Sequence, residues 1–148
     1  MTRFKPHVTV ACVIEREGRF LVVEEDRGGP WTLFNQPAGH VEYGEGPIAA
    51  ALREVVEETA WEIQLTGYLG LYVFQAGSDM TFHSHAFVAR PETFLDTPLD
   101  PAIKATHWMT LDEIQALHSQ SRVRSPLVLQ RLVDSRAGRI FPLEVIHE

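Results

Sequence analysis

Glu54, Glu57 and Glu58 stand at positions i, i+3 and i+4 of one stretch, the spacing at which side chains of a helix converge on a single face. Like charges so placed each disfavour an isolated helix by about 0.2–0.5 kcal/mol. The last two also fall near the predicted helix C-terminus, where the macrodipole is already negative. Arg53, one turn before Glu57, is the only basic residue in the helix that offsets them. A solvated acidic face is the plain reading of three glutamates alone. A divalent cation is the chemical one, since magnesium takes hard oxygen ligands and a few carboxylates suit it. The loop ahead of the helix favours the second reading. Ala38 and Gly39 permit close backbone approach, so the Gly39 carbonyl is a candidate fourth ligand.

The elements that must carry these groups follow from local pattern. Gly46 is the predicted N-cap and Pro47 the first helical residue, where a missing N–H costs nothing. Ile48, Leu52, Val55 and Thr59 recur at helical spacing and form the predicted apolar face. Before the helix, His7 to Ile14 reads as a largely buried strand, Arg16-Glu17-Gly18 as a turn, and Phe20 to Glu24 as the return strand of a hairpin. After it, Ile63 to Phe74 is strand-rich, with a bulge or turn expected at Gly67 and Gly70. Ala76 to Asp79 forms a turn, and Met80 to Ala89 alternates as a strand. Phe82, Ser84, Ala86 and Val88 lie on one side of it; His83, His85 and Phe87 lie on the other. Arg90 to Pro101, with its three prolines, reads as an irregular loop at the substrate edge. A short strand at Thr106 to Met109 leads to Thr110 and Glu113, a capping box for a helix from Leu111 to about His118. Ser125-Pro126 opens a final helix with Leu127, Leu129, Leu132 and Val133 apolar, and Gly138 stands as its C′ residue.

Strands on both sides of a central helix, with helices at the end, imply an α/β domain in which a mixed sheet lies between helices. The 148 residues are expected to form one domain, residues 1–148. A formal net charge of −7 argues against a nucleic-acid polymer as partner, yet leaves room for a phosphorylated small molecule. No apolar segment is long enough for a signal sequence or a bilayer span, so no membrane partner is expected. Cys12 is the only cysteine. It alternates with Val10 and Ile14, reads as a small buried hydrophobe, and fits a reducing cytoplasm.

The loop and helix together resemble the Nudix box: Gly, five residues, Glu, seven residues, then Arg-Glu-apolar-any-Glu-Glu-any-Gly-apolar. Gly39 and Glu45 are followed here by Arg53-Glu54-Val55-Val56-Glu57-Glu58-Thr59-Ala60-Trp61. Every charged position matches, and Ala60 replaces the second glycine. Further likeness at Phe4 to Val13, Asn35 to His40, Arg124 to Val128 and Phe141 to Glu144 is similar to the NudJ-type phosphatase branch of the Nudix hydrolases. The resemblance implies an α/β/α sandwich and a cytoplasmic, Mg2+-dependent enzyme, with Mn2+ as the substitute ion. Its implied substrates are nucleoside tri- and diphosphates and thiamine-pathway pyrophosphates (hydroxymethylpyrimidine pyrophosphate and thiamine pyrophosphate), with orthophosphate released by a monomer or homodimer.

The same resemblance places the metal on Glu54, Glu57, Glu58 and the Gly39 carbonyl. It makes Glu54 the favoured general base, Arg53 the orienter of Glu57 or Glu45, and Glu45 the tie between loop and Arg53. One departure lies outside the box, where Ser84 takes the place of an arginine in that branch. His40, Trp31, Phe34 and His85 are candidate substrate contacts; for Trp31, Phe34 and Trp108 a place in the aromatic core is the stronger reading. His83 and His85 form a His-x-His that lacks a visible third ligand. Two other functions remain open: an internal pyrophosphatase acting on ADP-ribose or a dinucleoside polyphosphate, and a non-catalytic nucleotide-sensing domain.

Overall fold

A computed structural model describes residues 2–148. Seven strands form one mixed sheet: β1 (His7–Arg16), β2 (Arg19–Glu25), β3 (Leu33–Asn35), β4 (Ala38–His40), β5 (Trp61–Gln75), β6 (Thr81–Phe94) and β7 (Ile103–Met109). Helix α1 (Pro47–Thr59) lies between β4 and β5, and α2 (Leu111–Ser119) and α3 (Leu127–Arg136) follow β7. β1 pairs in parallel with β6 and antiparallel with β4, while β2 pairs antiparallel with both β3 and β7. β1 meets β2 only through Glu15, Arg16, Arg19 and Phe20. That short hairpin is tight because Glu17 and Gly18 both take positive φ, 52° and 77°, as a two-residue turn between right-twisting strands requires.

The sheet is covered on both faces, which is why Val10 to Ile14 of β1 form an unbroken buried apolar run. Val10, Cys12 and Ile14 of β1 and Phe87 and Ala89 of β6 pack with Ala50, Ala51 and Val55 of α1. Val13, Phe20, Val22, Ala86 and Val88 pack on the other side with Ile114, Val128 and Leu132 of α2 and α3. The result is an α/β sandwich with helices on either side of a mixed sheet.

Three expectations need correction. The buried stripe of α1 runs through Ala50, Ala51, Val55, Glu58 and Thr59, and Leu52 is 39% exposed. Small alanines bring the helix close to the sheet, and that rotation turns Glu58 inward. Arg90 to Phe94 continues β6 instead of opening a loop, because β5 still pairs along it. Pro91 is tolerated there because the β1 ladder has ended at Ala89 and the register shifts opposite it, between Glu62 and Ile63. In α3 the buried residues are Val128, Arg131 and Leu132, and Val133 is exposed. The Thr110–Glu113 capping box is present in full. Gly67 and Gly70 each sit at a register shift in β5, and Cys12 is buried, its thiol pushed up to about 12 by that burial.

Candidate active site

The site is built where β4 crosses the end of β1 and meets α1. Gly39 is held beside Val10 by the β1–β4 ladder, and the Glu54 carboxyl lies directly on it. A Cβ at position 39 would overlap that carboxyl, so only glycine allows the approach. One turn further along α1, Glu58 Oε1 accepts a hydrogen bond from the Ala38 N–H at 2.9 Å. Glu57 completes the predicted trio from a more exposed position.

Arg53 organises the loop against the helix. Its guanidinium donates to both Glu45 carboxylate oxygens at 3.1 and 2.6 Å, to the His40 carbonyl at 3.0 Å, to Glu54 at 3.0 Å and to Glu57 at 3.2 Å. Glu42 lies 3.1 Å from the same cation. Glu45 also accepts from the Glu42 N–H, which closes the loop's turn. These contacts hold Glu45 below the usual carboxylate range and strengthen the charge on Arg53. Arg53 therefore orients Glu45, Glu54 and Glu57 together, more than the single partner expected.

The carboxylates differ in environment. Burial pushes Glu54 upward, against the pull of Arg53. Glu58 is pushed to about 8, by burial first and then by Glu25 and Glu54 against the Ala38 N–H. Arg27 bridges Glu25 at 2.8 Å and approaches Glu58 at 3.9 Å. With Arg53 and Arg27 interposed, no three His, Cys, Asp or Glu side chains among the described residues are already gathered as ligands. The donor chemistry nonetheless fits a hard divalent cation: Glu54 and Glu58 offer carboxylate oxygens, and buried Glu25 has an Oε1 without a hydrogen-bond partner.

From Gly39 a cleft of about 360 Å³ extends over the α3 side of the sheet. Glu25, Arg27, Arg124 and Arg131 supply its charges; Phe74, Met80 and Phe82 supply an apolar wall. His40 lines it, packed near His7 and Phe82, and burial followed by His7 lowers its pKa. The other three proposed contacts lie elsewhere. Trp31 is 56% exposed on its loop and does not line the cleft. Phe34 is core, with His107 and Arg122 against its ring. His85 points to the opposite face of β6 from Ser84 and bonds the Tyr68 hydroxyl at 2.8 Å.

Sequence reasoning missed Glu25, Arg124 and Arg131. Arg131 carried a legible signal, since it breaks the apolar stripe of α3 between Val128 and Leu132. It also changes the meaning of Ser84. That serine does not leave the strand without a cation, because its hydroxyl accepts from Arg131 at 2.9 Å.

The NUDIX domain profile matches residues 5–131. Phosphatase NudJ of Escherichia coli strain K12 is 40% identical over 144 residues, covering 97% of this chain and 92% of that protein. The same figures hold for phosphatase NudJ of Shigella flexneri. Among solved structures, a NUDIX hydrolase from Nitrosomonas europaea superposes with a TM-score of 0.92 at 39% identity, covering 97% of each chain.

Proposed function

The chain belongs to the NUDIX domain family and is a Nudix hydrolase, and from that premise we propose that it hydrolyses phosphoanhydride bonds with Mg2+ and releases orthophosphate. The proposed substrates are nucleoside tri- and diphosphates and thiamine-pathway pyrophosphates, on the strength of the similarity to phosphatase NudJ. One observation carries the reading: Glu54 seated on Gly39, with Glu57 and Glu58 on the same helix, at the head of an arginine-lined cleft. We read residues 1–148 as one domain, and none of the described helices is long and apolar enough to cross a membrane.

Glu54, Glu57 and Glu58 are the proposed metal ligands, with the Gly39 carbonyl beside them. A bound magnesium ion supplies charge neutralisation of the phosphate oxygens and activation of the attacking water. The chain's own work is positional. Glu54, raised by burial, is suited to accept the water proton. Arg53 fixes Glu54 and Glu57 relative to the loop. The Ala38 N–H holds Oε1 of Glu58, so Oε2, which Arg27 approaches at 3.9 Å, is the oxygen proposed to ligate. His40 and Phe82 border the space for the group being released. Replacing Glu57 by Gln is expected to lower magnesium-dependent turnover about a hundredfold or more, the upper end of what disturbing a metal's surroundings costs. A folded Glu57→Gln protein with full turnover would overturn the assignment. Product analysis tests the bond: orthophosphate from a nucleoside triphosphate supports the reading, and nucleoside monophosphate plus pyrophosphate opposes it.

A further inference from the structure

Arg131 is 5% exposed, on the buried stripe of α3, yet it lines the cleft. Its Nη1 donates to Gln36 Oε1 at 3.1 Å and its Nη2 to Ser84 Oγ at 2.9 Å. Both acceptors are neutral, and no carboxylate lies within ion-pairing distance of the guanidinium among the described residues. Asp134, one turn further along α3, is turned to the Tyr72 hydroxyl at 2.7 Å and to Gln130. The Tyr72 ring faces the guanidinium at 5.8 Å, which solvates a cation without neutralising it. The Nε is buried with no hydrogen-bond partner at all. The other two arginines of the cleft differ: Arg27 pairs with Glu25 at 2.8 Å, and Arg124 approaches it at 3.9 Å.

A buried, unpaired charge is costly, and native proteins pair such groups or use them. Desolvation lowers the pKa of Arg131 only to about 10, so the charge persists at neutral pH. A neutral acceptor would satisfy the Nε hydrogen but not the charge. An oxyanion satisfies both, and guanidinium geometry suits phosphate oxygens in particular. Gln36 and Ser84 hold the fork in place. The Gln36 amide is itself fixed by donating to the Val128 carbonyl at 2.7 Å.

We propose that Arg131, held by Gln36 and Ser84, forms a phosphate subsite in the floor of the cleft, separate from the glutamates of α1. It binds a substrate phosphate other than the one undergoing attack. This rests on the hydrolase reading above, but it is tested apart from turnover. The arginine Nε–H resonance that disappears in Arg131→Lys is followed in the unmodified protein while inorganic pyrophosphate is titrated in with magnesium. The resonance is expected to shift with saturation. Arg131→Gln is expected to weaken pyrophosphate binding about tenfold or more, and to raise KM for a nucleoside diphosphate more than it lowers kcat. Arg131→Lys, which keeps the charge, is expected to recover part of the loss. An Nε–H resonance that does not respond overturns the subsite even if Arg131→Gln fails to fold; so does unchanged affinity in a folded Arg131→Gln protein. Orthophosphate release by the unmodified enzyme, measured alongside, reports on the hydrolase reading independently.

Discussion

Burial of Glu58 favours its protonated form in the folded protein. Its pKa rises from 4.5 to about 8, so its contribution to stability is complete below about 4.5 and drains away as pH rises through 8. A divalent cation reverses this by preferring the carboxylate. Magnesium is therefore expected to raise Tm more near pH 8 than near pH 5.5, and to release protons that calorimetry in buffers of different ionisation enthalpy will detect. A magnesium effect independent of pH would contradict a role for Glu58 as ligand. Cys12, at about 12, should resist iodoacetamide in the folded protein near pH 8 and react once the protein is unfolded. Arg53 contacts five residues across the loop and helix, and charged hydrogen bonds are each worth about 1.5–3 kcal/mol. Arg53→Gln should lose at least one such increment in denaturant unfolding. At this scale the sequence revealed the charged pattern of Gly39, Glu45, Arg53, Glu54, Glu57 and Glu58. It did not reveal that Arg131 reaches the cleft, because that depends on which face of α3 meets a strand far along the chain.

Helix α1 has two unusual ends. Ala60 closes it in the left-handed region, φ 62° and ψ 19°, where an L-residue is strained by about 1–2 kcal/mol. Ala60→Gly relieves that strain and removes one buried methyl worth about 0.8 kcal/mol, so a net gain of a few tenths to about 1 kcal/mol is expected in chemical denaturation. A loss would mean that packing of the methyl outweighs the backbone. At the other end Gly46 has no side chain to cap the helix, and the Glu148 carboxylate accepts from the Ile48 N–H at 2.8 Å. Glu148→Ala should cost about 0.5–1 kcal/mol by loss of this cap. The N-terminal end was legible from Gly46-Pro47, since caps are local; Ala60, standing where the family pattern has glycine, did not give the exit geometry. The rotation of α1 was not. The contact made by Ala50, Ala51 and Val55 is decided by the sheet, and a sequence pattern weights the larger Leu52 instead.

Across the whole molecule, five of the seven strands and the three α-helices followed in order from turns and alternation; β3 and β4, three residues each, did not, because strands so short show no alternation. The sheet order did not. Hairpins β1–β2 and β5–β6 join neighbours and can be read locally, whereas the parallel β1–β6 pair, His7 beside Phe82 through Ile14 beside Ala89, joins strands separated by four other strands and a helix. Periodicity carries no information on such a partner, and resemblance to a known fold supplied only the α/β/α layering. The same pairing has a consequence for synthesis. During translation β1, whose Val10 to Ile14 are buried in the folded protein, emerges early and waits for its parallel partner until β6 has left the ribosome. At about 5–20 residues per second that interval is on the order of ten seconds. Nascent chains stalled before Thr81 should therefore be protease-sensitive along β1 and bind holdase chaperones, and chains stalled well beyond Phe94 should show protection beginning there.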